Sequence, residues 1–505
     1  MKPFLLALLL GAGSAFAFEP VGWWPLMPIA FAAFCELIAR ASSLRRALLI
    51  GWGFGVGQFA VGLNWIATAF TFQAAMPAWL GWVAVVLLSL YLAIYPMLAA
   101  GLAWKFGKGN RVALVFALAG AWAITEWLRA TMFTGFAWNP IGVTLADTPL
   151  LTISGLIGTY GLSAIVVLVG AAIWHVANRK WKIPAGITAL LLLLWLIPTA
   201  PAPPADNKPI RIVQPNIGQQ DKWRPGFEEI AARKLDLLTI KGRPQTRLVF
   251  WPEAAVTDPL VDQRSAARWG SETERLRATR SLAPGDLLLT GGLSLASSDG
   301  RSVDGATNSV YVLAPLGVII GRYDKAHLVP YGEYLPMRPL LSAIGLSRLA
   351  PGDIDFVPGP GPQTIALPDN LGKVGFQLCY EIVFSGEVVD RAARPDFIFN
   401  PSNDAWFGRW GPPQHLAQAR LRAAEEGLPV IRSTPTGISA LIDADGRLLH
   451  SLPWRTPGII DGSLPPPKGP TLFARFGNII PLTLGFLLLI GAIALGRSRR
   501  YRADT

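Results

Sequence analysis

Eight apolar runs punctuate the chain, near residues 3–18, 25–40, 47–70, 78–104, 111–130, 151–177, 184–198 and 478–496. They are on the scale of the about 20 helical residues that cross a bilayer. Residues 208–467, between the seventh run and the eighth, have ordinary polarity. This pattern narrows the fold first, because a backbone facing lipid must satisfy its own hydrogen bonds, as only helices and closed barrels do. Charged residues make up 15% of the 505, against about 25% in soluble domains. The expectation is a seven-helix transmembrane region over 1–200, an extramembrane domain over 208–467 and a C-terminal transmembrane helix over 476–496.

The formal charge of +12 fits a nucleic-acid partner, an anionic membrane or a topology signal, and its distribution decides. Residues 208–467 hold 28 basic and 27 acidic side chains, whereas the rest of the chain holds 17 and 6. A nearly neutral domain argues against a nucleic-acid groove. The surplus clusters as Arg40, Arg45 and Arg46, as Lys105, Lys108 and Arg111, as Arg179, Lys180 and Lys182, and as Arg497, Arg499, Arg500 and Arg502. These groups follow the even-numbered runs. Basic loops stay cytoplasmic, so the 208–467 domain is expected on the opposite face, periplasmic or extracytoplasmic, and the C terminus in the cytoplasm. Lys2 and Ala15-Phe-Ala17 read either as part of a retained first helix or as a cleaved signal, and both deliver residue 20 to the outer face. Glu36 with Arg40 and Glu126 with Arg129 stand at spacings that neutralise charge. A transporter tends instead to leave ionisable groups near the midplane.

Period-two alternation in Arg211–Val213, Leu248–Trp251, Asp286–Thr290 and Lys373–Leu378 predicts strands. Pro413–Glu426 predicts a helix, with Pro near its start and Gly427 just past its end. The block is therefore α/β. The Pro-rich segments 198–204 and 465–470 read as extended spacers, and no internal repeat is apparent. Cys35 and Cys379 lie in unlike surroundings, which excludes a disulfide framework, and four scattered His give no zinc spacing. No cofactor or metal is expected.

Cys379 closes an apolar strand and is followed by Tyr380-Glu381, so it reads either as a nucleophile raised at a strand-to-helix turn or as a buried structural cysteine. Glu253, ending Trp251-Pro-Glu253, reads as a rigidly aimed general base or as a surface carboxylate. Lys325, in the loop running to Pro336, reads as an oxyanion donor that lowers the thiol pKa or as a solvated lysine. Asn403, within Ser402-Asn403-Asp404, lines a pocket or makes an Asx turn. Arg420, Arg422, Glu425 and Glu426 read as paired or solvated surface charges. Trp223, Trp406, Phe407 and Trp410 suit either a lipid-facing rim or ordinary packing.

Taken in order, Glu253, Lys325, Glu333 and Cys379 resemble the nitrilase superfamily, which works with a Glu-Lys-Cys triad and a second glutamate. With Thr134–Asn139, Asp324–Pro330, Cys379–Glu381 and Ser402–Gly408, the resemblance narrows to its membrane-embedded apolipoprotein N-acyltransferase family. It implies an α/β/β/α sandwich domain attached to an eight-helix transmembrane bundle. It also implies acyl transfer from a phospholipid, usually phosphatidylethanolamine, through a Cys379 thioester to the diacylglyceryl-cysteine of an apolipoprotein. In that scheme Glu253 is the base, Lys325 and the Tyr380 amide bind the oxyanion, and Glu333 orients Lys325 or the amine. Tyr380 would shape the acyl pocket, Glu381 the turn, and Trp223 would serve the substrate. A monomer suffices. The rival enzyme is a tethered amidase or nitrile hydrolase, for which a bilayer-level entrance has no purpose.

Overall fold

The computed structural model describes residues 2–72, 77–197, 208–222, 224, 226–240, 242, 247–343, 348–349 and 354–503. The 198–204 spacer and Trp223 lie outside them. Among the described residues, eight apolar helical segments stand where the runs predict. Four are long and apolar enough to cross a membrane: Leu80–Gly107, Arg111–Thr131, Pro149–Ala177 and Ile479–Arg497. Leu44–Gly62 with Ile66–Phe72, bent by 47°, makes a fifth if the pair is one span. Lys2–Ala17, Leu26–Ala39 and Lys182–Leu194 are shorter. Length alone therefore supports four or five spans.

Local chemistry sets the ends of these helices and their spacing. Asn110 Oδ1 accepts the amides of Val112 and Ala113 at 3.1 and 3.3 Å, capping the helix that follows. A Cβ on Gly57 would stand 2.0 Å from Leu8 O, and one on Gly11 1.9 Å from Phe54 O, so the first and third helices meet backbone to backbone. Gly158, at φ +68°, interrupts the Ser154–Ala177 helix. That break frees the Thr159 amide to donate to Glu425 Oε1 at 2.6 Å.

Strands β1 (Pro209–Gln214), β2 (Leu248–Phe250), β3 (Val261–Asp262), β4 (Leu287–Ala296), β5 (Gly305–Ala314) and β6 (Val318–Asp324) belong to one sheet. Strands β7 (Thr364–Leu367), β8 (Gly372–Phe376), β9 (Phe397–Pro401), β10 (Val430–Ser433), β11 (Ala440–Ile442) and β12 (Leu448–Ser451) form the second, and β13 (Gly458–Ser463) returns to the first. The orders are β13-β1-β2-β4-β5-β6, with β3 beside β4, and β7-β8-β9-β10-β11-β12. Read in those directions, both sheets pair antiparallel, parallel, parallel, antiparallel, antiparallel. The two sheets thus repeat one pattern of strand pairing, although no repeat is apparent in the residues.

Ile212, Phe250, Leu289 and Val310 of the first sheet interdigitate with Phe376, Phe399 and Ile431 of the second. Helices Phe227–Ile240 and Arg268–Thr279 flank the first sheet, burying Leu235 and Ala278 against Val249 and Trp251. The Gly411–Glu426 helix covers the second, ended by Gly427 at φ +66°. This gives the four α/β/β/α layers. The same helix docks on the apolar bundle, because Arg420 Nη1 pairs with Asp147 at 2.5 Å, and Trp138 Nε1 donates to Gln414 Oε1 at 2.8 Å. Arg422 and Glu425, expected at the surface, are fully buried as a 2.7 Å ion pair. Arg422 also donates to Thr159 Oγ1. Their helix lies between the second sheet and the apolar Ser154–Ala177 helix, so no face of it is left to water along that stretch.

Candidate active site

Every strand end that the sequence singled out converges on one buried site. Glu253 follows β2 by three residues, Lys325 directly follows β6, and Cys379 follows β8. Lys325 Nζ donates to Glu333 Oε1 at 3.0 Å and stands 3.9 Å from Glu253 Oε1. Glu253 Oε2 is buried without a hydrogen-bond partner. Asn308 on β5 donates through Nδ2 to Glu253 Oε1 at 2.8 Å and to Glu333 Oε1 at 2.9 Å, while Glu333 Oε2 accepts the Val329 amide at 2.9 Å. One amide thus fixes two carboxylates around one ammonium.

The charges explain the state of each group. Burial works against the Lys325 charge, but Glu333, Glu253 and Cys379 outweigh it and hold the ammonium above the usual lysine range. Burial first, then Glu253, push the Cys379 thiol well above the usual cysteine range, against the pull of Lys325 and the Asn403 amide. The resting thiol is therefore protonated at neutral pH. A base that removes its proton during attack suits it better than a standing thiolate.

Cys379 itself sits at φ +53°, a left-handed conformation unusual for a residue with a side chain. Glu381 clamps this turn. Its Oε2 accepts the Leu378 amide at 2.7 Å, and its Oε1 accepts Tyr323 Oη at 2.8 Å and the amides of Ala326 and His327 at 2.7 and 3.0 Å. The strand carrying Cys379 and the loop carrying Lys325 are therefore tied by one carboxylate. The Tyr380 ring stacks on Trp138 at 6.4 Å and meets Phe384 edge-on at 5.1 Å. His327 lies on Phe384 at 3.8 Å, with Nε2 3.1 Å from Thr134 O, so the apolar bundle forms one wall of the site. Asn403 Nδ2 donates to Gln219 Oε1 at 3.1 Å, and its Oδ1 is buried without a partner. Phe407 packs edge-on against Trp65 at 4.7 Å.

Sequence reasoning missed three features. Asn308 gave no signal beyond a polar residue in an apolar strand. Lys222 is buried with Nζ 3.4 Å from Glu253 O, and burial brings its pKa down to about 8 although Glu253 opposes the shift. Asp404, Arg432 and His415 form a fully buried cluster on the other side of Cys379. Arg432 Nη2 donates to Asp404 at 2.7 and 2.9 Å, and His415 Nε2 stands 3.0 Å from Cys379 O.

Comparison with known proteins bears on this geometry. Residues 10–172 match the family model described as the apolipoprotein N-acyltransferase N-terminal domain, and residues 210–468 match the carbon-nitrogen hydrolase model. The apolipoprotein N-acyltransferase of Rhodopseudomonas palustris is 34% identical over 515 residues, covering 97% of this chain and 94% of that relative. The protein of that name from Rhizobium rhizogenes is 34% identical, over 98% and 95% of the two chains. Its counterpart in Brucella melitensis is 36% identical, over 90% and 87%.

Proposed function

This chain belongs to the apolipoprotein N-acyltransferase family, and on that premise we propose that it completes lipoprotein maturation by a two-step acyl transfer through Cys379. The observation that carries the reading is the unpartnered Glu253 Oε2 in a site that also buries Lys325 and Cys379, walled by the apolar bundle. Cys379 Sγ attacks the ester carbonyl of a phospholipid, phosphatidylethanolamine being the expected donor, as Glu253 takes the thiol proton. Lys325 Nζ and the Tyr380 N–H hold the tetrahedral oxyanion. Its collapse breaks the ester bond, the leaving alkoxide takes the proton from Glu253, and a lysophospholipid departs from a thioester. The α-amino group of a diacylglyceryl-cysteine at an apolipoprotein N terminus then attacks. Glu253 receives the amine proton and returns it to the departing sulfur. Glu333 holds Lys325 through both steps, and Glu381 holds the turn.

The membrane part has an energetic reason in this scheme. Each acyl CH₂ moved into water costs about 0.8 kcal/mol, so a long chain costs on the order of 10 kcal/mol, and the site has to open at bilayer level. The eight apolar segments are read as an eight-helix bundle, seven within 1–200 and one over 476–496, carrying the 208–467 catalytic domain. The basic loops assign that domain to the periplasmic face of the inner membrane and the C terminus to the cytoplasm. Nothing in the chemistry requires more than a monomer.

The test is the intermediate. Purified protein incubated with phosphatidylethanolamine is expected to gain the mass of one acyl group, lost on hydroxylamine treatment and absent from Cys379→Ala. A folded wild type that forms no adduct would overturn the phospholipid step and favour an amide hydrolase.

A further inference from the structure

Three buried groups beneath Cys379 have no part in the acyl-transfer reading, on which this inference rests. His415 Nδ1 lies 3.0 Å from Asp404 Oδ1 and 3.0 Å from Arg432 Nη2, and its Nε2 lies 3.0 Å from Cys379 O. A neutral imidazole protonated on Nδ1 would set the Nε2 lone pair against a carbonyl lone pair at that distance. In the imidazolium, Nδ1–H donates to Asp404 and Nε2–H to Cys379 O; in the Nε2–H tautomer the Arg432 N–H offsets the contact of the bare Nδ1 with Asp404 Oδ1, and Nε2–H again donates to Cys379 O. Burial first, then Arg432, lower the His415 pKa against the opposing pull of Asp404 and the Cys379 carbonyl. Arg432 is itself fixed, donating from Nη1 to Ser402 Oγ at 2.9 Å and to Asn400 Oδ1. The ring faces Trp138 at 5.1 Å and Phe407 at 5.7 Å, so its environment from the other packed elements is aromatic.

The consequence follows from peptide geometry. The bond joining Cys379 to Tyr380 is planar, with its C=O and N–H directed to opposite sides. Whatever anchors Cys379 O also aims the Tyr380 N–H. We propose that His415 is a positioning residue: it anchors the Cys379 carbonyl and so directs the Tyr380 N–H at the oxyanion that forms when Sγ attacks the ester. The φ of +53° at Cys379 is a conformation that a side-chain-bearing residue keeps only when held; Glu381 holds the turn from the Leu378 side, and His415 holds the carbonyl.

The experiment compares two reactions of the same thiol in the full-length protein. Acylation by phosphatidylethanolamine passes through an oxyanion, whereas alkylation by iodoacetamide, read at Cys379 by peptide mass, displaces iodide at a saturated carbon and forms none. His415→Leu is expected to slow single-turnover acylation about 100-fold, the cost of losing one oxyanion donor. Alkylation and the phospholipid KM should stay within about threefold of wild type. His415→Gln, whose amide nitrogen reaches the Nε2 position, should recover most of the acylation rate. Should the leucine variant not fold, His415→Asn, which reaches only the Nδ1 position, takes its place. Wild-type acylation in the Leu or Asn variant, a parallel fall of acylation and alkylation, or a Gln variant no better than Leu would overturn the inference. A wild type that is never acylated would remove the acyl-transfer reading itself.

Discussion

Two buried charged clusters flank Cys379, and they are finished differently. On the side of the first sheet, Glu253 and Glu333 share the Asn308 amide around the Lys325 ammonium, and Glu253 Oε2 is left without a partner. On the side of the second sheet, both Asp404 oxygens accept from Arg432, whose other nitrogen Nη1 is committed to Asn400 and Ser402. Among the described residues, the atom that the second cluster leaves over is Arg432 Nε. A leftover guanidinium nitrogen cannot take a proton, whereas a leftover carboxylate oxygen can. Equal burial of charge therefore marks two uses, and the free acceptor separates the chemical cluster from the scaffold.

The sharpest way to break this comparison is Glu253→Gln. The Gln oxygen can still accept from Asn308, so the geometry survives while the proton acceptor is lost. Single-turnover acylation should fall about 10³ to 10⁴-fold, with the thermal midpoint in detergent nearly unchanged. Arg432→Met should do the reverse. It leaves the buried Asp404 carboxylate with His415 alone beside it, and breaking a buried ion pair of this kind costs about 3–5 kcal/mol of stability. Denaturation in detergent checks this, and an Arg432→Met protein of normal stability would show that the second cluster is not scaffold.

Helix Gly411–Glu426 extends the contrast to a smaller effect. Glu425 is paired with Arg422 at 2.7 Å, whereas burial first, and then Glu425, raise its neighbour Glu426 to about 7. A folded pKa above the unfolded value of about 4.3 means that the native state holds the proton more tightly. Stability from this group is then highest below about pH 4 and falls as pH rises towards 7, by on the order of 2–3 kcal/mol. Glu426→Gln should abolish that loss, so the variant should gain stability over wild type between about pH 5 and 7. A difference between the two unfolding curves that does not change with pH would contradict it.

What the sequence made legible was local. The apolar runs and the Glu253, Lys325 and Cys379 strand ends were readable because hydrophobic alternation and the ordered motifs sit within a few residues of each. The helix ending at Gly427 was readable for the same reason. Arg432 was not, since its role depends on Asp404, 28 residues away in the turn that follows the neighbouring strand β9. Asn308 stayed hidden because its importance comes from two carboxylates carried on other segments. Arg422 and Glu425 looked like surface charges because a helix read alone does not disclose that a sheet covers one face and an apolar helix the other. The two sheets left no repeat in the residues, because what repeats is the direction of strand pairing.

Asn308 gives the finest test, because it belongs wholly to one cluster. Its two amide hydrogens go to Glu253 Oε1 and Glu333 Oε1, at 2.8 and 2.9 Å. In Asn308→Ala, Glu253 Oε1 keeps only the Lys325 ammonium, 3.9 Å away, too far for a hydrogen bond. Losing one charge-assisted bond to the base should slow acylation about tenfold, close to 1.4 kcal/mol. Combined with Glu253→Gln, the same change should cost much less, since the amide would then be orienting a side chain that no longer accepts the proton. Combined with His415→Leu, it should cost its full tenfold, because the two clusters share no hydrogen-bonding partner. Additivity with Glu253→Gln, or strong coupling to His415→Leu, would mean that the site works as one network rather than as a reactive cluster and a separate scaffold.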